Sequence, residues 1–361
     1  MVGMRDVAKE AGVSLSTVSL VVNKTGYVSD DMRARVEAAM KELNYVPNEL
    51  ARNLYKNRTN LVGVIVPTIR HPFFATLTAH LQRELAAQGL RTMLCSTADA
   101  ENGEVEYVDM LRRHMMDGII VCSHTTHPND YWTSIHRPIV AFDRVLGGGI
   151  ASIGSDHEQG GRLMAHMLVN TGAHHVVMIG GPRDQFFDLA ARNGDSPDDF
   201  DLHKTTFPTV RYYLALEQEL KAAGVRYEYV EAGNVEDFQG YKNAVNAVLN
   251  SMSVDGVDAV VSSDIGAALC VREAMRRHIS IPRDLQIIAY DGTYLTDLAG
   301  MKMTAVAQNF DKIAQVAVGN IVRAIAKEGD AKADTTSATG RKPYEPDVLI
   351  PVTRKLGDTT R

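Results

Sequence analysis

The sequence predicts an all-α head of helix-turn-helix shape, joined to an α/β body of two doubly wound parallel-sheet subdomains. Three observations carry this. The first sixty residues hold two short helical segments around a Gly-Val-Ser turn, then a third. A short segment just after Pro47 is flanked by basic residues. From Leu61 onward apolar runs alternate with amphipathic stretches, and the pattern restarts after Ile153.

In the head, Arg5 to Glu10 is polar except for Val7 and Ala8, which share one side. Gly12 supplies the positive-φ residue that can end a helix and turn the chain. Ser14 stands where an N-cap is wanted, its hydroxyl able to accept from orphan backbone N–H groups. Val18, Val21 and Val22 follow at packing spacings of three and four. Leu15, Ser16, Ser19 and Leu20 are left to face outward. A third helix is expected from Ser29 through Leu43, with Val36, Met40 and Leu43 as its apolar stripe. In a helix-turn-helix the start of the second helix enters the major groove, where hydroxyls bond base edges or phosphates and Leu can touch a thymine methyl. An ordinary three-helix bundle is the alternative.

The segment after Pro47 places Leu54 among Arg52, Lys56 and Arg58. A helix of about eight residues is unstable alone. Leu54 either wedges between base pairs, at a cost of roughly a few kcal/mol that phosphate contacts offset, or packs under the core.

In the body, Leu61–Val66, Thr92–Cys95, Gly118–Cys122 and Pro138–Phe142 read as strands, with helices over Phe73–Gln88 and Val105–Met116. After the restart, His157–Val169 and Val210–Ala223 read as helices, and Val176–Ile179, Tyr227–Val230, Ala259–Val261 and Gln286–Ala289 as strands. Further helices are expected from Glu236 and Gly266. Such alternation implies parallel sheets covered on both faces. Ligands of open α/β sheets bind beyond the carboxyl ends of the strands. The loops there carry His71-Pro-Phe-Phe74, Asp143-Arg144, Asp156, Ser263-Asp264 and Asp291-Gly-Thr-Tyr294. Carboxylates and an arginine can hold vicinal hydroxyls by charge-assisted bonds, and Phe rings suit the C–H face of a sugar. Each Asp taken alone is equally an N-cap or a turn residue, Asp264 most of all.

Composition narrows the class. Residues 1–60 hold nine Lys and Arg against seven Asp and Glu, leaving 29 against 37 for the rest, so the charge changes sign at residue 60. The head is only mildly basic, and specific contacts must count as much as bulk attraction to phosphates. No run reaches the roughly 18 apolar residues of a membrane span. The start of the chain has no apolar signal core. Cys95, Cys122 and Cys270 are isolated in apolar runs and read as reduced thiols of a cytoplasmic protein. The sequence contains no dinucleotide fingerprint, P-loop, nucleophile elbow or His-Glu-x-x-His. No enzyme activity, cofactor or metal is therefore expected.

These residues resemble the LacI/GalR family of bacterial repressors. Asp6-Val-Ala, Ala11-Gly-Val-Ser14, Thr17-Val-Ser19, Asn23, Asn44-Tyr-Val-Pro-Asn48 and Ala51-Arg52 stand in the family's order. Met116-Asp-Gly-Ile-Ile120, Ala141-Phe-Asp-Arg144, Gly160-Gly-Arg162, Ile179-Gly-Gly-Pro182 and Tyr290-Asp-Gly-Thr293 look most like its sucrose- and ribose-repressor branches. The resemblance implies subdomains of periplasmic-binding-protein type and a DNA-contacting set of Ser14, Leu15, Ser16, Thr17, Ser19, Leu20, Asn23, Asn48, Ala51, Arg52 and Leu54. Leu15, Ser16 and Leu20 would read bases, and Leu54 would be the minor-groove wedge. It also implies an effector set of Phe73, Phe74, Asp156, Ser263 and Asp291, with Asp143 and Arg144 in a neighbouring loop. The partners implied are a two-fold symmetric operator duplex, a sugar or sugar phosphate, and a second copy of the chain, with no membrane.

Several positions depart from the family pattern. About 25 residues, Arg183 to Pro208, intervene where the family places an effector-binding arginine soon after Gly-Gly-Pro. Arg211 is nearest in register, with Tyr212 the other candidate for that place. Leu20, Ser263, Val235 and Asn309 also differ from the commoner family residues. The Arg183–Pro208 segment is expected to be a mobile surface flap, with a metal site at its Asp cluster as the alternative. The expected division is a head over 1–47, a hinge over 48–60 and a body over 61–361. Within the body, 61–155 is grouped with 292–310, and 156–291 with 311–361. A transport-type sugar receptor and a sugar-modifying enzyme are the rival functions. The head argues against the first, and the absence of a defensible nucleophile or acid–base pair against the second.

Overall fold

A computed structural model describes residues 2–47, 58–98, 103–125, 127–186, 205, 207–235, 237–329 and 346–361. The expected hinge helix, with Asn48, Ala51, Arg52 and Leu54, lies outside the described residues, as does the central part of the Arg183–Pro208 insert. The chain forms two compact units, Met1–Asn60 and Leu61–Arg361.

The first unit packs α1 (Met4–Ala11), α2 (Leu15–Asn23) and α3 (Asp30–Glu42) around fully buried Val7, Val18 and Val36. Gly12 ends α1 at φ 63°, and the Ser14 hydroxyl accepts from Thr17 N at 3.1 Å to start α2. A guanidinium nitrogen of Arg35 donates to Ala11 O at 2.6 Å and Gly12 O at 3.0 Å, tying α3 to the turn. A side chain at Gly12 would strike that guanidinium, with Cβ only 2.7 Å from Arg35 Nη2. Asp30 and Asp31 open α3 behind its Ser29 cap, where acidic groups complement the helix dipole.

The second unit is two α/β lobes. The first lobe contains β1 (Leu61–Val66), α4 (Pro72–Ala87), β2 (Arg91–Ser96), α5 (Gly103–Arg112), β3 (Gly118–Val121), α6 (Asn129–Thr133), β4 (Ile139–Phe142) and β5 (Ala151–Ser155). The second contains α7 (His157–Asn170), β6 (His175–Gly180), α8 (Pro208–Ala222), β7 (Arg226–Glu231), α9 (Phe238–Asp255) and β8 (Ala259–Ser263). It continues through α10 (Asp264–Arg276), β9 (Gln286–Asp291), α11 (Leu295–Leu298) and β10 (Thr304–Ala307). The chain ends with α12 (Phe310–Gly329), β11 (Val348–Ile350) and β12 (Thr353–Lys355). The first sheet runs β11-β5-β4-β3-β1-β2, all parallel. The second runs β12-β10-β9-β8-β6-β7, parallel except for β12 on its edge.

The division expected within residues 61–361 needs correction. Residues 304–307 join the second sheet, with Thr304 opposite Ile288, not the first. Helix α12 belongs to the first lobe: Ile313, Ala314, Ala317, Ile321 and Ile325 share a core with Leu77, Leu81 and Leu85 of α4. The chain therefore crosses between the lobes three times, at 155–157, 307–310 and 350–353. Helix α5 also ends earlier than expected, at Arg112, because His114 adopts φ 57° and Met115 N bonds back to Met110 O at 2.9 Å. Helix α9 starts at Phe238 behind an Asp237 cap, and α10 already at Asp264. The last residues stitch the second sheet: the buried Thr359 hydroxyl donates to Ile287 O at 2.6 Å.

Candidate functional site

Two surfaces have functional chemistry, one in each unit. On the head, the start of α2 presents a hydroxyl cluster. Ser14 Oγ lies 2.7 Å from Ser16 Oγ and 2.8 Å from Thr17 Oγ1, and Leu15 is 42% exposed beside it. Asn23 Nδ2 donates to Ser19 Oγ at 3.1 Å, so those two side chains hold each other. Leu20 does not face fully outward; it is half-buried and packs on the head core.

In the second unit a cavity of about 500 Å³ lies between the lobes. Phe73 and Phe74 reach it from the start of α4, and Phe142, Asp143 and Arg144 from the end of β4. Ser263, Asp291 and Gln308 line it from the ends of β8, β9 and β10, and Tyr212 and Tyr213 from α8. Phe73 stacks on Phe142 with centroids 6.0 Å apart, which makes one wall aromatic. Six of the eight expected effector residues thus meet here: Phe73, Phe74, Asp143, Arg144, Ser263 and Asp291.

The other two do not line this cavity. Asp156 caps α7, accepting from Gln159 N at 2.8 Å, because it is the first residue past β5 and the helix begins at once. Arg211 lines a smaller side chamber, while its neighbour Tyr212 faces the main cavity. Asp264 also departs from expectation. It is no helix cap: it accepts from Gly292 N at 3.1 Å, Thr293 N at 2.6 Å and Thr293 Oγ1 at 2.5 Å, clamping the loop after β9.

Polar networks cross from lobe to lobe. Asp143 of the first lobe accepts from Ser155 N at 3.1 Å and pairs with His157 Nε2 at 3.1 Å. His157 Nδ1 lies 2.7 Å from the Tyr290 hydroxyl of the second lobe. The two ring nitrogens of His157 thus link the Asp143 carboxylate to the Tyr290 hydroxyl. Gln308 forms a second bridge, accepting from Ser155 Oγ at 2.5 Å and donating to Asp291 Oδ1 at 2.8 Å. Asp291 holds φ 107°, a backbone strain tolerated where neighbours over-determine it. Burial, then the Asp264 carboxyl, pushes the Asp291 pKa well up, and burial pushes Asp264 up to about 6.

The sequence reading offered Tyr212 only as the alternative to Arg211 and gave no role to Tyr213, Tyr229 and Tyr290, which shape the second lobe's wall with it. Tyr212 stacks on Tyr290 at 3.9 Å, 10° from parallel. The Gly160-Gly161 and Gly180-Gly181 pairs make room for them. A Cβ on Gly160 would lie 2.7 Å from the Tyr290 ring, and one on Gly180 2.6 Å from the Tyr229 hydroxyl. The glycine pairs were visible in the sequence; which rings they faced was not.

His71, buried at the start of α4, accepts from Phe73 N at 3.3 Å, and burial lowers its pKa to about 4 from 6.5. The unfolded chain therefore takes up this proton first as pH falls, and stability is lost between pH 6.5 and about 4. The raised Asp264 pKa acts with the opposite sign: its folded form binds a proton near pH 6, before the unfolded form at 3.8. His71→Asn keeps a short acceptor for the Phe73 N–H and leaves the Asp264 contribution in place. Urea unfolding at pH 7 and pH 5 should show wild type losing about 1–2 kcal/mol more than His71→Asn. Equal losses would mean that His71 is protonated in the folded protein.

Residues 3–48 match the family described as bacterial regulatory proteins, lacI family. Residues 59–194 match periplasmic binding proteins and sugar binding domain of LacI family, and residues 165–342 match periplasmic binding protein-like domain. The chain is 33% identical to the sucrose operon repressor of Streptococcus mutans over 89% of its length and 92% of the relative's. It is 33% identical to the ribose operon repressor of Bacillus subtilis over 81% of its length and 82% of the relative's. The Lac repressor dimer bound to operator and the anti-inducer ONPF has the same fold, with a TM-score of 0.76 at 21% identity, covering 99% of this chain and 98% of that one. A CelR–cellobiose complex matches with a TM-score of 0.62 at 22% identity, covering 99% and 100%.

Proposed function

Because the chain belongs to the LacI family of bacterial regulatory proteins, we propose that it is a repressor of carbohydrate-utilisation genes whose operator affinity is set by a sugar bound between its lobes. It acts in the cytoplasm as a homodimer, with two heads on a two-fold symmetric operator, and it is a regulator, not an enzyme. Ser14, Leu15, Ser16, Thr17, Ser19, Leu20 and Asn23 contact the major groove. Asn48, Ala51, Arg52 and Leu54 belong to a minor-groove segment whose apolar wedge opens a base step. Phe73, Phe74, Asp143, Arg144, Ser263 and Asp291 hold the sugar, joined by Tyr212.

One observation carries the regulatory part of this reading: a polar, aromatic-walled cavity lies where two lobes joined by three crossings meet. A ligand touching both lobes prefers one of their relative arrangements, and a ligand shifts an equilibrium only through such a preference. The chemistry of the head alone would serve any DNA-binding regulator; the cleft makes it a responsive one.

Fluorescence anisotropy of the full chain on fragments from upstream of carbohydrate operons, against excess random duplex, tests the DNA half. At least one fragment with a symmetric site should be retained on the order of a thousandfold more tightly than random DNA, with affinity falling as salt rises. Equal retention of all fragments would remove the repressor reading.

A further inference from the structure

Phe207 of the second lobe lies face to face with His124 of the first, ring centroids 3.9 Å apart and 11° from parallel. His124 follows β3, and Phe207 directly precedes α8 at the end of the Arg183–Pro208 insert. Neither residue is on the crossing segments 155–157, 307–310 and 350–353, so chain connectivity does not keep the two rings together. We infer that this stack is a clasp between the lobes, built by the ends of the insert, and that it sets which arrangement of the lobes the ligand-free chain adopts. Such a clasp works whatever the cavity binds.

The second-lobe half of the clasp is firmly mounted. Helix α8 sits so close to α7 that a Cβ on Gly161 would lie 2.5 Å from Tyr212 O. Val210, Leu216 and Leu220 anchor the same helix in the lobe core, fully buried. The two ends of the insert are pinned to each other just before Phe207. The buried Thr205 hydroxyl donates to Gln185 O at 2.6 Å and accepts from Phe207 N at 3.0 Å. Phe186, next to Gln185, stacks on Tyr213 at 5.8 Å and meets Tyr229 edge-on at 5.1 Å. Both ends of the insert are thus fixed to the second lobe, and Phe207 is held out from them toward the first.

The contact is close to all-or-none. A stacked ring pair shifts an equilibrium by several-fold to about tenfold. Dispersion falls so steeply that a gap of about 1 Å forfeits up to half of it. A small parting of the lobes therefore loses much of the contact, while an intact stack holds them. A second aromatic contact between the lobes, Arg70 over Phe238 at 5.8 Å, has an exposed cation and contributes less. Under the proposed function, a ligand or duplex that prefers another arrangement has to outweigh the clasp, which sets how much preference either must supply.

The test is the distance between the lobes in the ligand-free full chain, read by pulsed electron spin resonance. Nitroxides are placed at Glu106→Cys on α5 and Ala247→Cys on α9, both exposed, while Cys95, Cys122 and Cys270 are buried. Labelled chain is diluted with unlabelled chain so that only distances within one copy are read. Wild type should show one dominant distance. In Phe207→Ala and in His124→Ala the ratio of a second distance to the first should rise by several-fold to about tenfold. The double variant should add little to either single change, since both remove the same contact. Phe207→Tyr, which keeps the ring, should match wild type, and Thr205→Val, which unpins the insert, should reproduce part of the shift. Unchanged thermal unfolding separates the clasp from general damage. If Phe207→Ala does not fold, the first-lobe side decides: His124→Ala should shift the distribution and His124→Phe, which keeps a stacking ring, should not. Wild-type distributions in both alanine variants, or a shift in Phe207→Ala that His124→Ala fails to reproduce, would overturn the clasp.

Discussion

Asp264→Ala is expected to destabilise the second unit by about 3 kcal/mol or more, because it leaves several buried donors without a partner. Asp264 is fully buried, and its two oxygens take the backbone N–H of Gly292, the backbone N–H of Thr293 and the Thr293 hydroxyl. Thr293 is itself buried, so water cannot readily replace the lost acceptor. The loop these bonds fix follows directly from Asp291, so the cleft should loosen with the fold. Asp264→Asn should lose less, since one oxygen can still serve Thr293 while the new amide faces Gly292 N. Urea unfolding of the three proteins at pH 7 checks the order. A loss below about 1 kcal/mol for Asp264→Ala would mean that the loop is held by other contacts.

Asp291→Ala is expected to weaken sugar binding on the order of 10- to 100-fold and to abolish the operator response at sugar concentrations that saturate wild type. Two losses combine. The cavity loses a polar group at the carboxyl end of β9, and Gln308 loses the acceptor that links it across to Ser155. The raised pKa of Asp291 favours its protonated form, which can donate as well as accept, so Asp291→Asn should retain more affinity than alanine. Calorimetry and operator titration in parallel check this. An unchanged response in Asp291→Ala would place the sugar elsewhere in the cleft.

The fold was legible where short-range physics decides it. Gly12, Ser14 and Ser29 mark helix ends by side-chain chemistry that needs no tertiary context. The apolar runs at Leu61–Val66 and His175–Gly180 are buried strands with flanking turns, and their alternation with helices implied parallel sheets. The lobe exchange was not legible. Whether the four residues Thr304–Ala307 extend one sheet or the other depends on which edge is open, and nothing local to them records it. Helix α12 has an apolar face that could cover either sheet; only its packing on α4 settles the matter.

The cleft was legible to a similar depth. Strand-end loops pointed to Phe73, Phe74, Asp143 and Asp291 because open sheets place ligand contacts there. The distinction between Arg211 and Tyr212 was beyond sequence reasoning, since adjacent helix positions point about 100° apart and the preceding insert removes the register. Asp156, which caps a helix, and Asp264, which clamps a loop, departed from expectation for a related reason. An acid at a strand-to-helix junction can cap the helix or reach across to a neighbouring loop, and the choice depends on what that loop offers.

The central claim is that one ligand and one duplex act on the same two-state body, and linkage tests it most directly. Operator affinity of the full chain should be measured at rising concentrations of a sugar that binds the cleft, and sugar affinity at rising operator. The two affinities should shift by the same factor, between several-fold and about a hundredfold. A sugar that saturates the cleft and leaves operator affinity unchanged would contradict the account.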